Sequence, residues 1–507
     1  MSYSMYLCVS LASYGLDLRG PAQDKAPQLH DALEPVLTRM RQLIDSLRAA
    51  PVGPRAVGRF EQQLNQELRE LGRVATEWTY NHLEAESAQA LPEQVVFQTS
   101  AYRRLPAKTP QEVSTLFGKI RLRRQGYRAA ASAGEGVLFP LCRELGLVHG
   151  TTPALLECVA RYQAQSGATQ RQTLMRLRAE HGVHWGVKKL RQVTATLAQM
   201  LGEHRQEAQV EQVLDWLAQA EASRGQHRPV LGVGRDGITL GLQIKGCDIR
   251  EVASTGTLTV YDRRGQRLGT VYLAFTPESC QTTMSAQLTA LVKEVLRRWQ
   301  GRLPRLAYVT DAGDNETTYY RKVLRRLRHP RTGQRLPWLW VVDYYHASER
   351  LWTMAEALFG SGSKGWSWVR KMQKWLLRAG GLSRVLHSAG ALCGRGQLTG
   401  TRLRNFRRAY NYLRKRRQHL RYWEFRRLGL PLGSGVTEAA CKTVYTQRLK
   451  LSGMRWKKTG AQTILTLRVL WLSGVWTKVY ERTLDISSDL KVPTPASSAQ
   501  HATDFAA

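Results

Sequence analysis

Val230-Leu-Gly-Val-Gly-Arg-Asp-Gly-Ile-Thr-Leu240 and its later counterpart Arg305-Leu-Ala-Tyr-Val-Thr-Asp-Ala-Gly313 are the stretches from which the fold is read. In each, an apolar run ends in an aspartate followed by Gly or Ala-Gly, as a buried strand does where it runs out into a loop. Between them, Thr257–Tyr261 and Gly269–Phe275 flank the turn residues Asp262 to Gly265, which predicts a hairpin. Thr283–Trp299 carries a helical period, and Asn315–Arg328 reads as a basic helix. Trp338–Val342 reads as a further apolar strand ending at Asp343, with a helix after it through Ser348 to Leu358. The expected order is β-β-β-α-β-α-β-α.

On the N-terminal side the period is helical from about His30 to Glu84. Leu33, Val36, Leu37, Met40, Ile44 and Leu47 form one stripe, and Phe60, Leu64, Leu68, Leu71, Ala75 and Trp78 another, with Pro51, Gly53 and Pro54 between them. This predicts a helical hairpin that either packs internally or dimerises as a short coiled coil. In Phe117 to Arg124, Ile120 and Leu122 alternate with Lys119, Arg121 and Arg123, a strand with one apolar and one basic face. It is either a solvated edge or a ribbon that meets phosphates. Residues 152–201 suggest three helices, the first starting at Thr152-Pro153 and the last running from Trp185 to Leu201, with Val187, Leu190, Leu197 and Leu201 facing inward. Lys188, Lys189 and Arg191 stand where a recognition helix carries its contacts, although a plain bundle gives the same pattern. Asp215–Arg228 reads as a helix end and a linker.

The chain has 507 residues, 75 Lys+Arg against 40 Asp+Glu, and a net charge of +35. Length alone gives room for roughly three domains, and a mean hydropathy of -0.38 with 14 Trp argues for a folded chain. So strong a positive balance points to a polyanion, nucleic acid before an anionic membrane. The seven cysteines are scattered, odd in number and without a C-x-x-C pair, which argues against a disulfide framework or zinc ribbon and for a reducing compartment. The apolar stretch Ile464–Trp476 is short and carries Arg468, so it is read as a core helix; no basic segment precedes the apolar run Met1–Tyr14, so no signal peptide is read. Residues 1–27 are expected to be partly ordered, and the Pro, Ser, Ala and Thr from Ser488 onward predict a disordered tail.

Residues 361–430 hold 18 Lys+Arg and one acid, Glu424, close to half of the total excess. Trp366, Trp368, Trp375, Phe406, Tyr410, Tyr412, Tyr422 and Trp423 are interleaved with the cations. That pattern suits a groove for a phosphate backbone, and Arg404, Arg407, Arg408, Arg414, Lys415, Arg416 and Arg417 are its densest part.

In so basic a chain the acids stand out. Asp236 and Asp311 close two strands, and Glu438 follows Gly433-Ser-Gly435 at a helix start, with no other acid between 425 and 480. The order β-β-β-α-β-α-β-α is that of the RNase H-like fold, whose first and fourth strands are parallel neighbours. Acids at their ends meet, and a helix beyond the fifth strand supplies a third. Converging carboxylates repel unless a cation lies between them, and Mg2+ prefers such oxygen ligands. Asp343 and His346, three residues apart at a helix start, share one face; Asp343 is then either a plain N-cap or part of the site. Asp314 and Glu316 read as caps of the next helix.

These motifs, with Gly433-Ser-Gly-Val-Thr-Glu-Ala-Ala-Cys-Lys442 continuing through Arg448-Leu-Lys450 to Ser452-Gly-Met-Arg-Trp456, resemble bacterial insertion-sequence transposases of the DDE class, closest to the Kra-type (ISKra-four) family. The resemblance spans about residues 95–480 and implies an α/β RNase H-like core with an all-helical insertion, preceded by mostly helical DNA-binding domains. It implies Asp236, Asp311 and Glu438 as metal ligands for two Mg2+ ions, with Mn2+ able to substitute, and a catalytic role for Asp343 and His346 beside them. Arg121, Arg123, Lys442, Arg455 and Trp456 join the expected DNA contacts. The implied partner is double-stranded DNA, bound as a homodimer or higher homo-oligomer in the bacterial cytoplasm, with no membrane. Expected boundaries are 1–95 for the hairpin, 96–228 for the basic ribbon and helices, 229–350 and 431–486 for the core, 351–430 for the insertion and 487–507 for the tail. The implied activity is cleavage at element ends and joining of the 3′-hydroxyls to target DNA. A domesticated DNA-binding protein with a silent nuclease, or a structure-specific nuclease without strand transfer, are the alternatives.

The basic insertion generates a direct expectation. If about 6–10 phosphates are neutralised, affinity for duplex DNA drops roughly 10³–10⁵-fold between 50 and 200 mM salt. A filter-binding series over that range checks it; a flat salt dependence is the contrary result.

Overall fold

The computed structural model describes residues 29–49, 51–98, 100–129, 136–244, 246–485 and 490–491. The stretch 1–27 lies outside these residues, as does most of the expected tail 487–507. Within that tail Leu490–Lys491 is not disordered but pairs antiparallel with Gln94–Phe97. Two compact units divide the chain: Met1–Tyr162 with Thr169–Leu197 and Leu484–Ala507, and Gln163–Ala168 with Ala198–Thr483.

The first unit opens with the expected hairpin, α1 (Leu29–Ala49) and α2 (Pro54–Asn81). Pro54 suits the first turn because its missing N–H would have no partner there. The apolar stripes are only partly covered: Val36 is buried, α2 buries no residue, and Ile44, Val57 and Leu68 are exposed. Short strands β1 (Gln94–Phe97), β2 (Ser100–Arg104), β3 (Thr109–Thr115), β4 (Gly118–Arg124) and β5 (Tyr127–Ala129) follow. In β4 the alternation works as expected, burying Ile120 and Leu122 and exposing Lys119, Arg121 and Arg123. After α3 (Pro140–Glu144) come α4 (Pro153–Ala164), α5 (Gln170–His181) and α6 (Val187–Ala222). A capping box of Thr169 and Gln172 starts α5, and Gly182 ends it at φ +63°. Two expectations fail on α6. Its inner face uses Leu190, Val193 and Leu197, while Val187 is exposed. The helix also runs to Ala222 rather than stopping near Leu201, because Val210, Val213, Leu217 and Ala220 keep a helical period and are buried.

The second unit is mixed helix and sheet. Strands β6 (Val230–Ile244), β7 (Cys247–Tyr261) and β8 (Arg267–Phe275) form an antiparallel meander, followed by α7 (Thr282–Arg298), β9 (Arg305–Thr310), α8 (Asp314–Lys322), β10 (Leu339–Val342) and α9 (Tyr344–Phe359). The sheet order is β10-β9-β6-β7-β8, with β9 parallel to both β6 and β10. Both hairpin strands are longer than expected, since β6 continues to Ile244 and pairs with β7 along its whole length. Asp236 is therefore not at the end of its strand. It lies two residues beyond Gly234↔Val309, where the parallel ladder to β9 ends.

The basic segment is helical: α10 (Ser363–Leu376), α11 (Gly381–Arg395), α12 (Gly400–Lys415) and α13 (Tyr422–Arg427). Its buried residues, among them Val369, Met372, Phe406, Leu413, Tyr422 and Phe425, share one hydrophobic core with the sheet residues Val233, Val309 and Val342. Most of its aromatic rings are thus packing groups, and Trp366 and Trp423 are the exposed ones. The chain ends its second unit with α14 (Gly435–Ala440), a π-helical turn over Cys441–Thr446, α15 (Gln447–Leu449), α16 (Lys458–Leu472) and α17 (Trp476–Leu484). The expected single helix Ile464–Trp476 is two, broken by Gly474 at φ +68°. Among the described residues no helix is long and apolar enough to cross a membrane.

Gly234 marks where α14 meets the sheet. A Cβ added there would stand 1.9 Å from Thr437 Oγ1 and 2.5 Å from Thr257 Oγ1. These hydroxyls bond each other at 2.8 Å and are buried, so neither can swing away freely. Gly234→Ala is expected to destabilise the second unit by about 1–3 kcal/mol, the usual scale of overpacking. A urea unfolding midpoint equal to wild type would contradict this.

Candidate active site

Asp311 leaves β9 into a tight turn. Its Oδ1 accepts the Gly313 N–H at 3.0 Å, and Ala312 takes φ +62°, a strained conformation for a residue with a side chain. A Cβ on Gly313 would stand 2.5 Å from Glu316 Oε2 and 3.4 Å from Asp311 Oδ1, so a larger residue there would push the Glu316 side chain aside. The turn is held from the basic helices: Tyr412 donates to the Asp311 carbonyl at 2.7 Å and Arg416 to the Ala312 carbonyl at 3.0 Å. Arg350, Arg408, Asn411, Tyr412, Lys415 and Arg416 line a groove at this point.

On β6, Asp236 Oδ1 accepts the Gly237 N–H at 2.7 Å and Oδ2 accepts the Cys441 thiol at 3.3 Å. Burial raises its carboxyl above the usual range; these hydrogen bonds oppose the shift, and the charges of Asp311 and Glu438 add to it. Asp236 therefore feels both partners. Burial also pushes the Cys441 thiol up, so it stays a neutral donor.

Asp343 is fully buried at the end of β10. It caps α9 by accepting the His346 N–H at 2.9 Å through Oδ1, while Oδ2 accepts the N–H and, at 2.8 Å, the hydroxyl of Ser434. Burial alone would raise its pKa, but the hydrogen bonds with His346 and Ser434 win and hold it down at about 2. The N-cap expectation is thus met, and the same carboxylate also reaches Ser434, four residues before Glu438. The Ser434 oxygen also stands 2.6 Å from Glu438 Oε1. A hydroxyl has one proton, so it serves one carboxylate and leaves the other oxygen contact without a hydrogen. His346 Nδ1 lies 3.5 Å from Asp343 Oδ1 and 3.7 Å from Glu438 Oε1, with no hydrogen-bond partner of its own. Asp343, His346 and Glu438 each offer a ligand atom within 4.8 Å of the others and can hold a metal ion. An unpaired buried nitrogen and a surplus oxygen contact fit a cation there.

Other charged and aromatic residues fall as follows. Glu424 pairs with Arg421 at 2.8 Å on the surface, and Glu349 is exposed on α9. Glu316 is no simple cap: it is buried, and burial, with Asp311 and Asp236 adding, raises its pKa to about 7. Arg404, Arg407, Arg408, Arg414, Lys415, Arg417, Lys442 and Arg455 are exposed, and Arg416 is half-buried. Trp456 is committed to packing, with its indole N–H on the Leu449 carbonyl at 3.0 Å and Arg448 over its ring. In the first unit Lys188 is exposed, Arg191 donates to Gln170, and Lys189 is tied to the His149 carbonyl. Sequence reasoning gave no role to Ser434 or Cys441, and it read Tyr412 and Arg416 as part of a phosphate groove rather than as anchors of the Asp311 turn. Cys441 had a signal, three residues after Glu438 on one helix face; nothing in the sequence pointed Tyr412 and Arg416 at the Asp311 turn. No family model and no curated protein sequence matches the chain.

The Asp343 carboxylate raises His346 to about 9. A raised histidine contributes stability that is complete below its unfolded value near ~6.5 and lost as pH rises through the folded one. In metal-free protein the His346 ring is expected to titrate near 9 by NMR, and the pairing energy to fade across the interval up to that value. A midpoint at the ordinary histidine value counts against the geometry.

Proposed function

We propose that the chain is a metal-dependent DNA endonuclease and strand transferase of the DDE transposase class, with an RNase H-like core. The observation that carries the reading is that Asp236, two residues beyond the β6–β9 ladder, senses the charges of Asp311 and Glu438, while Glu438 lies within ligand distance of Asp343 and His346, in a chain of net charge +35. The sheet order, with the meander's first strand beside β9 and only β7 antiparallel to the rest, supports the core. The resemblance of the segments around these acids to Kra-type transposases supports the class.

Asp236, Asp311 and Glu438 offer oxygens alone, the donor set that suits two Mg2+ ions, and Mn2+ would substitute because it takes the same oxygen ligands. Bound there, such ions supply charge stabilisation to the attacking and leaving oxygens of an in-line displacement. The chain does the positioning. Cys441 orients Asp236, the Ser434 carbonyl accepts the Glu438 N–H at 3.0 Å, and Tyr412 with Arg416 hold the Asp311 turn. The protonated His346 ring offsets negative charge at the same place. The exposed cations of α12 neutralise the backbone of double-stranded DNA, and the half-covered stripe of α1 and α2 suits assembly with a second copy. Hydrolysis of a phosphodiester at the element end frees a 3′-hydroxyl, which then attacks target DNA.

A labelled duplex bearing the element end, incubated with Mg2+, is expected to yield nicked and strand-joined products. Glu438→Gln keeps shape and removes charge, so cleavage falls on the order of 10³-fold or more, as for members of a catalytic set, while DNA binding is retained or tightened. Glu424→Gln retains cleavage. Near wild-type cutting by Glu438→Gln together with loss in Glu349→Gln would sink the assignment.

A further inference from the structure

The helical module of the first unit holds a second group of reactive side chains, remote in function from the carboxylates. Cys158 on α4 is half-buried beside the cluster of Leu155, Val159, Tyr162, Leu177, Val183 and Leu190. Its Sγ lies 3.5 Å from His181 Nε2, at the C-terminal end of α5. His181 Nδ1 stands 2.9 Å from the Leu116 carbonyl. A carbonyl only accepts, so Nδ1 carries a proton and the ring presents Nε2 to the sulfur. The Tyr162 hydroxyl lies 3.1 Å from the same Nε2 and donates its one proton to Glu180. Glu180 also accepts from Arg176 at 2.9 Å, and the Arg176 guanidinium covers the Tyr162 ring. Nothing in this network supplies Nε2 with a proton except the thiol itself.

We propose that Cys158 and His181 form a thiolate–imidazolium pair that makes Cys158 a site of modification by hydroperoxides and small electrophiles. A base whose far nitrogen is fixed by a carbonyl and whose near nitrogen faces a nucleophile is the arrangement that activates cysteine elsewhere. Charge agrees. Burial opposes the thiolate, but hydrogen bonding, that with His181 first, outweighs it and lowers the thiol, while the Cys158 bond raises His181. The charged and titratable groups facing the pair are Tyr162 on its own helix and Arg176 and Glu180 on α5; the β3–β4 turn adds the Leu116 carbonyl.

With a hydroperoxide, the thiolate sulfur attacks the nearer oxygen and forms an S–O bond. The O–O bond breaks, and the departing oxygen takes the His181 Nε2 proton and leaves as water or alcohol. Sulfur is oxidised by two electrons to the sulfenic acid and the peroxide is reduced by the same two. The added oxygen must fit beside the packed cluster at Leu155 and Val159, so the chemistry reports directly on the module that carries Lys188 and Arg191. This reading is independent of the nuclease assignment.

The test uses the full chain under limiting iodoacetamide between pH 6 and 8.5, with each cysteine followed by peptide mass spectrometry. An ordinary thiol is only ~0.3% ionised at pH 6, whereas the paired thiolate is largely formed, with some loss of intrinsic nucleophilicity. Cys158 is expected to react at pH 6 about tenfold or more faster than the exposed Cys247 and Cys280, with a nearly flat rate up to pH 8. Dilute hydrogen peroxide followed by dimedone is expected to tag Cys158 first. In His181→Gln, folding checked by circular dichroism, the Cys158 rate becomes steeply pH-dependent. A wild-type Cys158 rate that climbs about tenfold per pH unit, as an ordinary thiol does, or a peptide that dimedone leaves untouched, overturns the proposal without recourse to any variant.

Discussion

The buried carboxylate of Asp343 is the joint on which the candidate site hangs. It sits at the end of β10 and ties down two elements at once: the first turn of α9, through the His346 N–H, and Ser434, 91 residues further along the chain. A charge this deep is tolerated because each of its oxygens is met by donors and an imidazole stands beside it. Remove it and the approach of 431–438 to the sheet loses its anchor. Ser434, and through it Glu438, would no longer be held against β6 and β9. Position and charge are therefore coupled: the group that aims Glu438 also sets the protonation of His346.

Buried arginines extend the same logic through the rest of the second unit. Arg448 donates to the Gln163 carbonyl at 2.8 Å, and Arg468 to the Thr443 carbonyl at 2.6 Å and the Ala164 carbonyl at 2.6 Å. Burial lowers both to about 10, yet they remain charged at neutral pH. The Arg468 guanidinium closes off the Thr443 and Val444 carbonyls of a π-helical turn just after Glu438, in which the Cys441 thiol meets Asp236. Arg235 plays the matching part behind β6. It donates to Gln281 at 2.7 Å and Ser285 at 3.0 Å and lies over the Tyr319 ring. The site is thus backed by cations that meet neutral oxygens and rings; among the described residues Asp236 and Asp311 form no ion pair, while His346 stands beside Asp343 and Glu438.

The reading of individual elements from sequence succeeded where one period dominates. Arg305–Thr310 and the helix at Thr282–Arg298 lie where an apolar run and a helical stripe place them, because a strand or helix of that length satisfies its own periodicity before any tertiary contact. It fell short where packing extends an element beyond its local signal. The second halves of β6 and α6 have weak patterns of their own, and pairing with β7 and burial of Val210 to Ala220 carry them on. The aromatic residues of the basic helices misled for a related reason: interleaved rings and cations look alike whether the rings stack on a ligand or on a core.

By itself the sequence determined the order of strands and helices in 229–350, the alternation of β4, the isolation of Glu438 among cations, and the candidacy of Asp236 and Asp311. These are properties of spacing and charge, and spacing is local. Only the tertiary structure decided that Asp236 faces Glu438 from the middle of a long strand, that Ser434 and Cys441 aim the carboxylates, and that Tyr412 and Arg416 reach back to the Asp311 turn. Apart from those of Ser434, 4 positions from Glu438 and 91 from Asp343, the contacts of Cys441, Tyr412 and Arg416 join residues a hundred or more positions apart. No periodicity encodes a pairing across that distance. It follows from how a shared hydrophobic core brings the basic helices against the sheet and from the need of every buried donor and acceptor to find a partner.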